Sequence, residues 1–131
     1  MRVDCGIIGG TGVGNRLAAL GGKAVHVPTS FGLLRGRHLE YKGKSFFLVQ
    51  RHSVGHKTPP HKVNYRAMAE GLQRLGAKFC LASGAVGSLQ KSIPPGSMRV
   101  CSDFLDISGR NLTLFDRVVT HTDASRFRTG G

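Results

Sequence analysis

SFFLVQRHSVGHKTPPHKVNYR, residues 45–66, joins an apolar run to a polar loop and to the start of an amphipathic segment. Ser45 to Gln50 is short and apolar enough for a buried strand, and Pro59-Pro60 keeps the following loop from being helical. Arg51 and His52 therefore stand at a strand's carboxyl end, where open α/β sheets collect their ligands. An arginine there can fork two N–H donors onto a phosphate or carboxylate, and a histidine can add a donor or a proton. A solvated basic loop is the plain alternative for a lone Arg-His pair. The rest of the chain decides between the two.

Working outward, Val3 to Ile8 is an apolar, β-branched run stopped by Gly9-Gly10-Thr11-Gly12, which reads as a first strand entering a tight glycine turn. A second strand is expected over Lys23 to Val27, with Pro28-Thr29-Ser30-Phe31-Gly32 breaking it. His38 to Tyr41 and Ser45 to Val49 flank Lys42-Gly43-Lys44, the signature of a hairpin. The strongest helix signal runs from Lys62 to Leu75, where Val63, Ala67, Met68, Leu72 and Leu75 recur at three- and four-residue spacing ahead of a capping Gly76. Lys78 to Ala82 predicts the next strand, Ser83 to Ser88 a second small-residue turn, Pro94-Pro95-Gly96 a reverse turn, and Met98 to Leu105 a further strand. The alternation predicts an α/β fold: a mixed twisted sheet flanked by helices. At 131 residues it forms one domain, with residues 126–131 an unstructured tail.

A formal charge of +12, from 19 Lys plus Arg against 7 Asp plus Glu, favours anionic partners. The basic residues are dispersed and do not interleave with aromatics, and no zinc-finger or basic-zipper spacing occurs, so nucleic acid is disfavoured as a partner. Gly9 to Gly12 is no P-loop, because no Gly-Lys-Ser/Thr follows, and no dinucleotide fingerprint, because Asn15 stands where the third glycine belongs. What it offers is a nest of unhindered backbone N–H groups with the Thr11 hydroxyl beside it. The Ser83 to Ser88 turn repeats that arrangement. If the strands preceding these turns are neighbours in one sheet, both turns and Arg51-His52 converge on one phosphate cradle.

His52, His56 and His61 carry a spacing that invites a metal. Gly55 and the two prolines exclude the helical face such ligands need, so no metal is expected. Asp103, Asp106 and Asp116 are read as capping or as pairing with Arg110 and Arg117 rather than as a carboxylate dyad. Cys5, Cys80 and Cys101 each lie in an apolar strand-like segment and lack C-x-x-C spacing, so buried free thiols in a reducing, cytoplasmic setting are expected. No apolar run is long enough for a signal peptide or a membrane span.

Taken in order, GIIGGTG (6–12), PTSFG (28–32), RHSVGH (51–56), PPHKVNYRA (59–67), SGAVGSL (83–89) and IPPG (93–96) resemble the methylthioadenosine and methylthioinosine phosphorylases among the trimeric purine nucleoside phosphorylases. The likeness covers essentially the whole chain, loosely in VVTHTDASRF (118–127). It implies phosphorolysis: inorganic phosphate, the only co-substrate, attacks C1′ of a purine nucleoside as the glycosidic bond breaks, with no other cofactor. It also implies that Thr11, Arg51, His52 and the Ser83-Gly84-Ala85 turn contact phosphate, that His121 reaches a neighbouring subunit's site, and that Asn64 and Tyr65 have structural duty. The partners implied are a nucleoside, phosphate and two further copies in a homotrimer.

Two positions depart from the family pattern. Ser53 replaces the usual glycine after Arg-His, and Gly84 replaces a Thr or Asn that would help hold phosphate or sugar. The family's ribose and purine contacts lie in a second half beyond the length of this chain. The expectation is therefore an N-terminal portion, cut short on the C-terminal side, with little turnover of its own. A non-catalytic phosphate or nucleotide binder that keeps only the cradle is the alternative.

Overall fold

A computed structural model describes residues 1–10, 12–52, 58–110 and 112–114. Five strands, β1 (Cys5–Gly9), β2 (Lys23–Thr29), β3 (Gly32–Tyr41), β4 (Lys44–Gln50) and β5 (Phe79–Ala82), form one sheet in the order β2-β3-β4-β1-β5. β1 pairs parallel with both β4 and β5, while β2-β3 and β3-β4 are antiparallel. The mixed sheet expected from the sequence is therefore what forms.

Each turn is closed by local chemistry. Lys42 and Gly43 both take positive φ, the two-residue turn whose twist suits a hairpin, and Tyr41 pairs with Lys44 across it. Pro95-Gly96 makes the reverse turn, with Gly96 at φ 84° and Ser97 N–H donating to the Pro94 carbonyl at 3.1 Å. Helix α2 (Tyr65–Arg74) ends as anticipated: Gly76 is left-handed, its N–H reaches the Gln73 carbonyl, and Ala77 N–H reaches that of Leu72.

α2 starts later than its periodicity suggested. Pro60–Lys62 forms one 3-10 turn, Val63 is extended, and Asn64 caps the helix by accepting from Ala67 N–H at 3.0 Å. The amide nitrogen of the same side chain, Asn64 Nδ2, donates to the Phe31 carbonyl at 2.7 Å, and Arg66 lies over the Phe31 ring at 4.7 Å. Farther along the helix, Glu70 accepts from Ser30 N–H and from the Ser30 hydroxyl, and pairs with Arg74. The Ser30-Phe31 turn is thus clamped to α2 by the cap Asn64 and by Arg66 and Glu70 of the helix itself.

Burial, the largest single influence on Glu70, pushes its carboxyl upward. It is outweighed by the Ser30 N–H, Arg74 and the Ser30 hydroxyl together, which hold the group below its ordinary value. A depressed folded-state value means that the clamp contributes fully above the unfolded-state titration of glutamate and is lost as pH falls through the folded one. Urea midpoints should therefore drop on acidification below the ordinary glutamate range. Glu70→Gln should flatten that drop, and an unchanged slope in the variant would show that the clamp does not titrate.

α2 packs its buried residues Ala67, Met68, Gly71 and Leu72 against one face of the sheet, and Met68 and Leu72 join Val27, Leu34, Phe47 and Val49 in the main core. A short helix, α1 (Val13–Ala18), lies against β1 and β4 on the other face, where Gln50 Nε2 donates to the Gly14 carbonyl at 3.4 Å. The sequence reading missed α1 because it has no capping side chain and Gly14 sits in its first turn. It forms because glycine on glycine lets it close in: a Cβ on Gly9 would stand 2.7 Å from Gly14 Cα.

Two expectations are corrected. Met98 to Leu105 forms no strand, and between Ser83 and Arg110 no helix or strand appears among the described residues. A strand exists only as a hydrogen-bonded ladder, and none of the described chain pairs with that segment. Its apolar side chains Met98, Val100, Phe104 and Leu105 stand in solvent. The thiols differ for the same reason: Cys5 is buried in β1, but Cys80 lies on edge strand β5, exposed along its whole length, and Cys101 lies in the unpaired stretch. All three are free. Residues 126–131 lie outside the described chain.

Candidate phosphate cradle

β4, β1 and β5 are adjacent and parallel, so their carboxyl ends emerge side by side. That brings Arg51, Gly10 and Ser83 to one edge of the sheet. Backbone bonds continue the ladders past the strands: Arg51 N–H donates to the Gly9 carbonyl at 3.1 Å, and Ser83 N–H to that of Ile8 at 3.0 Å. The three segments that deliver the site are therefore as fixed as the sheet.

The Arg51 guanidinium lies across this edge, half-buried. Its Nη1 donates to the Ser83 carbonyl at 3.2 Å and its Nε to His52 Nε2 at 3.2 Å. His52 Nδ1 stands 3.3 Å from the Thr58 carbonyl, and Thr58 N–H returns a bond to the His52 carbonyl at 3.3 Å. Gly10 is where the geometry is tightest. A Cβ there would meet Arg51 Nη2 at 2.8 Å and the Ser83 carbonyl at 3.1 Å, so any larger residue would push the tip of the guanidinium aside.

The donors differ somewhat from the nest expected. Gly10 N–H is already given to Ser83 Oγ at 3.2 Å. An oxygen that accepts there still has its own O–H to donate, so Ser83 can relay the Gly10 donor to a ligand. Gly84 lies beside it: a Cβ on Gly84 would be 3.9 Å from Arg51 Nη1, ordinary contact distance, and Ala85 follows in exposed, irregular chain. Of the residues the sequence nominated, Arg51, His52, Ser83 and Gly84 come together. Thr11 and His121 lie outside the described residues, as do Ser53 and His56. Gly10 and Thr58 were not nominated individually; a glycine's close approach and a carbonyl's aim leave no mark in a single sequence. Among the described residues no three His, Cys, Asp or Glu side chains converge to hold a metal ion.

Residues 4–128 match the family model described as the phosphorylase superfamily. The chain belongs to the phosphorylase superfamily. Among curated relatives of this superfamily member, the probable S-methyl-5'-thioinosine phosphorylase of Methanothermobacter thermautotrophicus is 40% identical over 130 residues, covering 90% of this chain and 43% of the relative. The S-methyl-5'-thioadenosine phosphorylase of Hyperthermus butylicus is 36% identical over 128 residues, covering 92% and 46%. Among solved structures, adenosine/methylthioadenosine phosphorylase from Schistosoma mansoni, a double mutant in complex with adenine, superposes with a TM-score of 0.63 at 36% identity, over 72% of this chain and 34% of that one. This phosphorylase-superfamily chain thus spans less than half the length of the relatives it matches.

Proposed function

We propose that the chain supplies the phosphate-binding part of a purine nucleoside phosphorylase acting on a methylthioadenosine, methylthioinosine or 6-oxopurine nucleoside. The observation that carries this reading is the Arg51 guanidinium laid across the ends of β4, β1 and β5, anchored on Ser83 and against Gly10. In that reading Arg51 neutralises phosphate and the Ser83 hydroxyl orients it, so that one phosphate oxygen faces C1′ of the nucleoside. The new C1′–O bond forms as the C1′–N9 bond breaks, and the purine leaves with the electron pair and takes a proton. Positioning and charge stabilisation are the protein's contribution, and no cofactor beyond phosphate is required. Thr11 and His121 complete the proposal as a further phosphate contact and a contact to a neighbouring copy in a homotrimer, working in the cytoplasm.

Calorimetric titration with inorganic phosphate tests the premise. Saturable binding is expected, and Gly10→Ala should weaken it about tenfold by displacing Nη2, the loss of roughly one ordinary hydrogen bond. No saturable binding to the unmodified chain would overturn the reading.

A further inference from the structure

Resting on that phosphate reading, we propose that His52 is a positioning residue that orients Arg51 through its Nε2 lone pair, and that it does not itself donate to the anion. The hydrogen bonds assign the tautomer. Arg51 Nε can only donate, so Nε2, at 3.2 Å, must accept. The Thr58 carbonyl can only accept, so the ring's proton sits on Nδ1, 3.3 Å away. Both ring nitrogens are then committed within the protein. The Thr58 carbonyl is in turn held in place by the return bond from Thr58 N–H to His52.

The consequence falls on Arg51. A guanidinium is planar with its donors in a fixed fork, so two anchors define its plane. His52 fixes Nε and the Ser83 carbonyl fixes Nη1, a carbonyl whose own residue is tied to β1 through Ser83 N–H. With Nε spent, the end left for an anion's oxygens is the one bearing Nη1 and Nη2, on the side where Gly10 leaves room. The site is therefore built as a relay: the Thr58 carbonyl sets the ring, the ring sets the guanidinium, and the guanidinium meets the anion.

Phosphate titrations of the full chain decide it. His52→Gln, whose amide oxygen can still accept from Nε, is expected to stay within about threefold of the unmodified chain, whereas His52→Lys should bind about tenfold more weakly despite its added charge. In an Arg51→Lys background, where no guanidinium plane remains to be set, His52→Ala should change affinity by less than about twofold. Lysine at 52 binding as tightly as histidine would overturn the inference and leave the cradle standing. Fully additive losses in the cycle would overturn it equally, and this arm survives even if the lysine variant fails to fold. Absence of phosphate binding by the unmodified chain would remove the premise and the inference together.

Discussion

Phe47→Ala is expected to cost about 3–5 kcal/mol of stability, the largest loss available from a single side chain here. Phe47 is fully buried on β4 and belongs to the core with Leu34, Val27, Met68 and Leu72. Its ring packs against Gly36 of β3, where an added Cβ would come 2.5 Å from ring carbons Cε1 and Cζ. That contact makes the cost high, because the wall beneath the ring is backbone and cannot collapse into the void. Filling the gap from below fails as well: a Cβ on Gly36 would also meet the Leu48 carbonyl at 2.6 Å, so Gly36→Ala should not rescue Phe47→Ala. Urea unfolding with an unchanged slope would measure the loss. With domain stabilities of about 5–15 kcal/mol, the variant should stand close to unfolding at physiological temperature. A shift below about 1 kcal/mol would mean that the ring is not packed as described.

The second large effect is functional. Arg51→Ala should weaken phosphate binding by a hundredfold or more, since hydrogen bonds to a charged group contribute about 1.5–3 kcal/mol each and the fork offers two. Fold stability should change far less. Arg51 is only half-buried, and the groups it leaves, the Ser83 carbonyl and His52 Nε2, belong to residues that are themselves only half-buried. Arg51→Lys should recover only part of the affinity, because a point charge replaces a plane with two parallel donors. Calorimetry alongside urea unfolding separates the two quantities. Phosphate affinity within about twofold of the unmodified chain in Arg51→Ala would remove the guanidinium from the site.

Local chemistry made much of the fold legible. The hairpin at Lys42-Gly43, the cap at Gly76 and the buried stripe of α2 each rest on residues close in sequence, where glycine's permissive backbone or a 3.6-residue period speaks directly. The convergence of Arg51 with Ser83 was legible only conditionally, because it needed the strand order, and order is decided by pairing between distant segments. Met98 to Leu105 shows the limit from the other side: its apolar composition satisfies strand propensity, yet composition supplies no partner. The clamp on Phe31 was invisible for a related reason. Asn64 announces a helix start, but that its amide nitrogen reaches back to a turn more than thirty residues earlier is a property of the packed molecule.

The strand order also dictates when the site can exist. β1 is the first strand in the chain, yet its neighbours are β4 and β5, with Ile7 paired to Leu48 and to Leu81. β2, β3 and β4 can zip together as consecutive hairpins, whereas β1 must wait for two segments made long after it, and such distant pairings form slowly. On sequence separation alone, the cradle should be among the last parts to assemble, since its three walls are the ends of the strands joined by the most distant pairings. An anion held across those ends would bind only the finished sheet, and so would act on the chain as a folding ligand that draws the late strands shut.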